Sequence, residues 1–246
     1  MQKKYKVLKE NSTKIKYDKG NFKVYRIVAL RDFGDVKAGQ YGGWIAYEGN
    51  LSHEGACWVY DDAVVFGEGK ILDDAKVRDR AIVTGLATVC GNSEVTGDAR
   101  VQDFAVVFNG RISDHAIVAN HGIICNSSVR DYAKVLNYAN AYNAEISENA
   151  CVFGKARLDG CTDYTMLCGG RKEYATVKIH GYAMVSEDAR VFGNAEICGN
   201  AEVGGKARVY TEAFVTDNVK VYNNAKVYTT VTGATRVGGN SKVLPT

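Results

Sequence analysis

The sequence predicts an all-β protein, a parallel β-helix wound from six-residue repeats, and three observations predict it. A Val or Ile recurs every sixth residue at Val191, Ile197, Val203, Val209, Val215, Val221 and Val227. Ala stands two positions ahead of nearly every one of them. The stretches between these pairs read "FGN", "CGN", "GGK", "TDN" and "YNN". A helix turns by about 100° per residue, so six residues sweep roughly 600° and would scatter the Val side chains around the cylinder. In a strand, Ala and Val of each A-x-V point one way and the residue between them points the other. Gly, Asn and Asp turn the chain cheaply because they tolerate left-handed backbone angles. Short strand, corner, short strand is the pattern of a solenoid.

The same beat runs from Val59 through Ile71, Val77, Val83, Val89, Val95 and Val101 to Val107, and again from Ile179 to Val227. Between these runs the register slips: Val107 to Ile112, Ile124 to Val129 and Ala141 to Ile146 are steps of five. Leu158 to Ile179 carries an irregular stretch, "DGCTDYTMLCGGRKEYATVK". Inward positions hold Val, Ile, Ala and an occasional Ser, which suit a narrow prism that Leu or Phe would overpack. Three hexads make one coil of about eighteen residues, with coils at the usual strand spacing of about 4.8 Å. The expected division is a basic hairpin and cap over residues 1–58 and a β-helix over 59–243, with an excursion at about 159–178.

Charge is distributed unevenly. Residues 1–31 carry ten Lys or Arg against two acids, and the remainder twenty-one against twenty-six. "YKVLKE", "TKIKYD" and "FKVYRIVAL" alternate as strands of a small antiparallel sheet, with "NST" and "DKGN" as turns. A basic arm can grip a polyanion, but Lys on exposed strands also guards a sheet edge against unwanted pairing. No pattern of stacking aromatics accompanies the Lys, so nucleic acid is not an expected partner. No signal peptide or apolar run of about twenty residues is present, so a membrane is not expected either and the cytoplasm is the expected location. The seven cysteines form no C-x-x-C pair and no metal spacing, so reduced thiols and no metal site are expected.

Residues 31–63, "RDFGDVKAGQYGGWIAYEGNLSHEGACWVYDDA", carry a D-F-x-D-V-K-A-G-x-x-G-G-W stretch followed by L-S-x-x-G-x-C-W. This resembles the segment that leads into the coils of the YdcK-like hexapeptide-repeat proteins, and with the repeats behind it the resemblance covers nearly the whole chain. It implies a left-handed parallel β-helix like that of the hexapeptide acyltransferases, commonly a homotrimer, with a hand opposite to the usual right-handed crossover. Trp44 and Trp58 are expected to cover the open end of the first coil, with Gly42 and Gly43 in a tight turn. The broken repeat "TTVTGATRVGGNSKVLPT" is expected to close the other end.

Acyl transfer from a thioester needs a general base, usually His, near the acceptor. His53 lies in the cap segment, and His115 and His121 fall at different corners, where they cannot readily share a metal. His180 follows inward Ile179 beside the irregular stretch with its Asp163, Arg171 and Glu173, and is the candidate catalytic base if the chain is an acyltransferase. Acetyl-CoA is the cofactor that reading requires; otherwise none is expected.

Outward positions give a second candidate. Every eighteenth residue yields Arg190 and Phe192, then Arg208 and Tyr210, then Lys226 and Tyr228, a ladder of cation beside aromatic over three coils. Such a ladder binds anionic aromatic ligands such as nucleotides or seals one protomer against the next. No catalytic constellation stands out, which favours a non-catalytic binding protein, trimeric, that captures an anionic small ligand or a host protein at grooves between subunits. The resemblance suggests a phage or mobile-element setting. A CoA-dependent acyltransferase is the alternative, and a structural rod the third reading.

Overall fold

A computed structural model of the chain describes residues 3–18, 20–160, 175–210 and 212–245. Among them the only helical piece is one 3-10 turn, Glu48–Asn50, and no helix is long and apolar enough to cross a membrane. The chain forms two compact units, Met1–Asn120 and His121–Thr246. Both are wound as parallel β-coils, as the six-residue beat requires.

The first unit begins with a hairpin. Strand β1 (Tyr5–Tyr17) pairs antiparallel with β2 (Gly20–Ala29). "NST" makes no turn here: β1 runs straight through it, and the register shift between Leu8 and Ser12 absorbs the extra residues as a bulge. The real turn follows Tyr17, where Asp18 has φ +49°. Val24 is buried with Val64 and Phe66 of the coils, and Ile15, Tyr17, Trp44 and Ile82 pack around them. Lys6, Lys9, Lys14, Lys16 and Lys23 point to solvent. The arm thus covers a coil face with its apolar side while those five lysines stay hydrated; Lys4 is instead fully buried, its ammonium donating to the Glu54 and Gly55 carbonyls.

Strand β3 (Tyr41–Ile45) converts one sheet type to the other. It pairs antiparallel with β2, Tyr25 opposite Ile45, and parallel with Val64–Val65, Trp44 opposite Val64. Gly42 and Gly43 therefore lie inside a strand and not in a turn. Their role is close approach: a Cβ on Gly42 would sit 2.5 Å from Trp58 Cζ2 and 2.6 Å from the Val59 carbonyl oxygen. Trp58 is fully buried, with the Tyr5 ring 6.0 Å and the Phe33 ring 5.3 Å away, both edge-on. It thus sits beneath the cap. Trp44 is half-buried and carries the Arg26 guanidinium 4.8 Å above its ring.

Behind β3 the coils of the first unit stack in three columns. Val64–Val65, Ile82–Val83, Arg100–Val101 and Ile117–Val118 form one face. Trp58–Val59, Lys76–Val77, Glu94–Val95 and Arg111–Ile112 form the second. Lys70–Ile71, Thr88–Cys90 and Val106–Phe108 form the third. The second member of each strand pair points inward, and Val77, Val83, Val95 and Val101 are all fully buried. Corners are set by left-handed residues such as Asp73 and Asp79, whose carboxylates accept the Gly91 and Gly97 N–H one coil on, both at 2.8 Å.

The second unit repeats the scheme. Arg157–Asp159, Arg190–Phe192, Arg208–Val209 and Lys226–Val227 stack in register on one face, with Val177–Ile179, Glu196–Ile197 and Phe214–Val215 on another. Met184–Val185, Glu202–Val203 and Lys220–Val221 form the third. Regular strands run to Asp159 and resume at Val177, and Ala144 pairs with Val177 as though nothing intervened. Residues 175–178 thus belong to the coil, while Asp163, Arg171 and Glu173 lie outside the described residues. At the far end, Val231 and Val237 are still buried but Leu244 is 59% exposed.

The inward serines have a specific task at the five-residue steps. Shortening a corner by one residue turns a backbone N–H toward the apolar interior, where an unpaired donor is costly. In the first unit Ser93 Oγ accepts the Gly110 N–H at 3.1 Å. In the second, Ser127 Oγ accepts the Ala144 N–H at 2.9 Å.

Candidate functional site

The ladder lies on one face of the second unit. Arg190, Arg208 and Lys226 are in direct register, each beside an inward Val. The rings of Phe192 and Tyr210 stack with centroids 5.2 Å apart and 15° between planes, and those of Tyr210 and Tyr228 at 4.5 Å and 3°. The stack covers both faces of Tyr210 and one face each of Phe192 and Tyr228, so edges and hydroxyls make up most of what the ladder offers outward. Arg157 occupies the cation column one coil earlier, but it is held 2.9 Å from Asp159. Among the described residues Arg190, Arg208 and Lys226 have no carboxylate within ion-pair distance. Like charges placed directly opposite on neighbouring strands repel. With head groups at the coil spacing of about 4.8 Å, each adjacent pair costs about 0.9 kcal/mol in water and more where water is excluded.

His180 follows Val177–Ile179 at a corner of the same unit. Its Nε2 lies 3.0 Å from Glu196 Oε1, and both side chains are about one-third exposed. Eighteen residues on, Cys198 occupies the equivalent position and donates its thiol to Thr216 Oγ1 at 3.1 Å. One nitrogen of His180, one carboxylate oxygen of Glu196 and the sulfur of Cys198 lie within 4.8 Å of one another. Glu196 and Cys198 are site residues that the sequence reading does not single out. The signal was there: the eighteen-residue beat that exposes the ladder also sets Cys198 directly beyond His180, and Glu196 shares its strand.

The other histidines are tied into structure. His53 stacks on Tyr5 at 4.4 Å and bonds Glu48 Oε1 at 2.9 Å, inside the cap. The His121 ring lies parallel to that of Tyr138, 4.6 Å away, and His115 Nδ1 stands 3.7 Å from Asp98.

The fold is that of a hexapeptide-repeat protein. No family model matches the chain. The sequence is 49% identical over 49 residues to a protein of Escherichia coli (strain K12) described as "Uncharacterized acetyltransferase YdcK", a match that covers 20% of this chain and 15% of that protein.

Proposed function

We propose that this protein is a YdcK-like, non-catalytic binding protein that captures an anionic small ligand, nucleotide-like in carrying phosphate, along the column of Arg190, Arg208 and Lys226. The observation that carries this reading is that Arg190, Arg208 and Lys226 stack in register, with Lys242 next in the column, and that no carboxylate among the described residues lies within ion-pair distance of these three. An anion spanning successive coils would relieve their repulsion, and two guanidinium forks suit phosphate oxygens bidentately. The half-buried rings of Phe192, Tyr210 and Tyr228 beside them supply a rigid apolar edge of the kind enriched at interfaces. A homotrimer in which this face meets the neighbouring protomer would put the cations in a groove, where lowered dielectric strengthens their grip.

The test is binding of nucleotides and inorganic polyphosphate, followed by calorimetry at low and moderate salt. Replacing Arg190, Arg208 and Lys226 by Gln should weaken binding at least tenfold, with the loss greatest at low ionic strength. Wild-type protein that binds no phosphate-bearing compound would remove the reading.

A second reading, CoA-dependent acyl transfer, rests on the His180–Glu196 hydrogen bond, which would orient an imidazole base, and on the description of the E. coli relative. It requires that acetyl-CoA bind and that His180→Ala abolish acyl transfer to an acceptor the wild type modifies. Acetyl-CoA that binds without any transfer favours the first reading.

A further inference from the structure

The structure assigns to His180, Glu196 and Cys198 a binding site for a divalent transition metal of the zinc class. This inference is independent of the anion column, which lies on a different strand of the coil.

Three features carry it. The donors are an imidazole nitrogen, a thiol sulfur and a carboxylate oxygen, the set that suits zinc and cobalt and not the all-oxygen preference of magnesium or calcium. They come from two consecutive coils whose backbone is fixed: the His180 N–H bonds Ile197 O at 3.1 Å and the Cys198 N–H bonds Val215 O at 2.9 Å. The corner after His180 is fixed too, because Glu148 Oε2 accepts the Gly181 N–H at 2.9 Å. A tetrahedral ion with bonds of about 2.0–2.3 Å needs donors roughly 3.4–3.6 Å apart. The three atoms already lie within 4.8 Å of one another, so no pair has to close by more than about 1.4 Å.

The arrangement reads as a convergent donor set more readily than as a nucleophile relay. In a relay the imidazole would bridge carboxylate and thiol, whereas here the Cys198 thiol is hydrogen-bonded to Thr216 and Nε2 faces Glu196. Burial first, and then the carboxylates of Glu196, Asp217 and Glu148, push the Cys198 thiol up, against which a Thr216 hydroxyl turned to donate to the thiolate acts. A dication reverses that balance. On binding, the thiol releases its proton to solvent, and Glu196 exchanges its contact with His180 for one with the metal. Three protein ligands leave a fourth position for water, and the one-third exposure of His180 and Glu196 leaves a route to it.

The 246-residue chain stripped by a chelator and titrated with Co2+ provides the test. We expect one equivalent per chain, d–d bands of tetrahedral intensity, and a thiolate-to-cobalt charge-transfer band that Zn2+ displaces. Cys198→Ser should abolish the charge-transfer band and weaken Zn2+ binding at least tenfold, and His180→Ala and Glu196→Gln should each weaken it by about tenfold or more. Cys90→Ser, in the first unit, should change neither. A wild type with no cobalt–thiolate band overturns the assignment, and so does a band undiminished in Cys198→Ser, which would trace it to another thiol. If thermal melting shows that Cys198→Ser is unfolded, Glu196→Gln on the part-exposed face decides: unchanged Zn2+ affinity there overturns the site.

Discussion

The rings of Tyr210 and Tyr228 lie parallel, 4.5 Å between centroids and 3° between planes, and Phe192 continues the stack on the other side of Tyr210. Within one chain both faces of Tyr210 are already covered. What remains outward is an edge three coils long, half-buried and flanked by cations, which a neighbouring protomer can cover. In the homotrimer proposed above, replacing Phe192, Tyr210 and Tyr228 together by Ser should shift the assembly toward monomer, since interface aromatics at hot spots contribute about 2 kcal/mol or more each. Light scattering reads the outcome, and an unchanged mass would place the ladder on a solvated face.

The cation column makes a prediction about stability as well as binding. Because Arg190, Arg208 and Lys226 stand in register, ligand-free protein with all three changed to Gln should melt higher than wild type at low ionic strength. The gap should close as salt is added and the Debye length falls to about 8–10 Å. Melting curves at several salt concentrations check this. A variant that melts lower at low salt would mean that these side chains already have partners.

The coil register was legible in the sequence because a strand has period two and each coil corner returns the chain to the same phase. Val203, placed inward by that count, is 1% exposed. Replacing it by Asp would bury an unpaired carboxylate in the prism and should cost several kcal/mol, visible as a large fall in melting temperature. The ladder was legible for the same reason, since eighteen residues make one coil.

What the sequence did not yield depends on contacts between segments distant along the chain. Gly42 and Gly43 look like a turn until Trp58 and the Val59 carbonyl are known to approach them. "NST" looks like a turn because its residues are turn formers, but strand pairing with β2 holds it extended and a bulge takes up the excess. Glu196 and Cys198 form no motif by sequence spacing, whereas a solenoid makes neighbours of residues one coil apart. The serines that accept stray N–H groups at shortened corners follow the same rule.

Gly42→Ala tests the close approach directly. The added methyl meets a backbone carbonyl that cannot swing aside, and overpacking of this kind costs about 1–3 kcal/mol. At about 2–4 °C per kcal/mol for a chain of this size, the melting temperature should fall by several degrees. Gly42→Ala with a wild-type melting temperature would show that β3 has room to move away from Trp58.

The cap is clamped to the first coils through Asp35, and this predicts a pH dependence. Asp35 Oδ1 accepts the Tyr60 hydroxyl at 2.6 Å and the Lys76 ammonium at 3.0 Å, and Oδ2 accepts Arg78 at 3.1 Å. Burial pushes the carboxyl up, but the hydrogen bonds from Tyr60 and Lys76 outweigh it and hold the group well below the usual carboxylate range. A carboxyl whose pKa is lower folded than unfolded contributes stability that is fully present above the unfolded value of about 3.9 and is lost as pH falls through that value toward the folded one. Asp35→Asn keeps an acceptor for Tyr60 but has no charge to lose. It should therefore melt below wild type at pH 7, and the difference should shrink as the pH is lowered from about 5 toward 2, because only the wild type gives up this interaction. Other carboxyls held low, such as Glu48 and Asp98, titrate in both proteins and cancel in the difference. A gap between the two melting temperatures that stays constant across that range would show that the charge on Asp35 does not hold the cap in place.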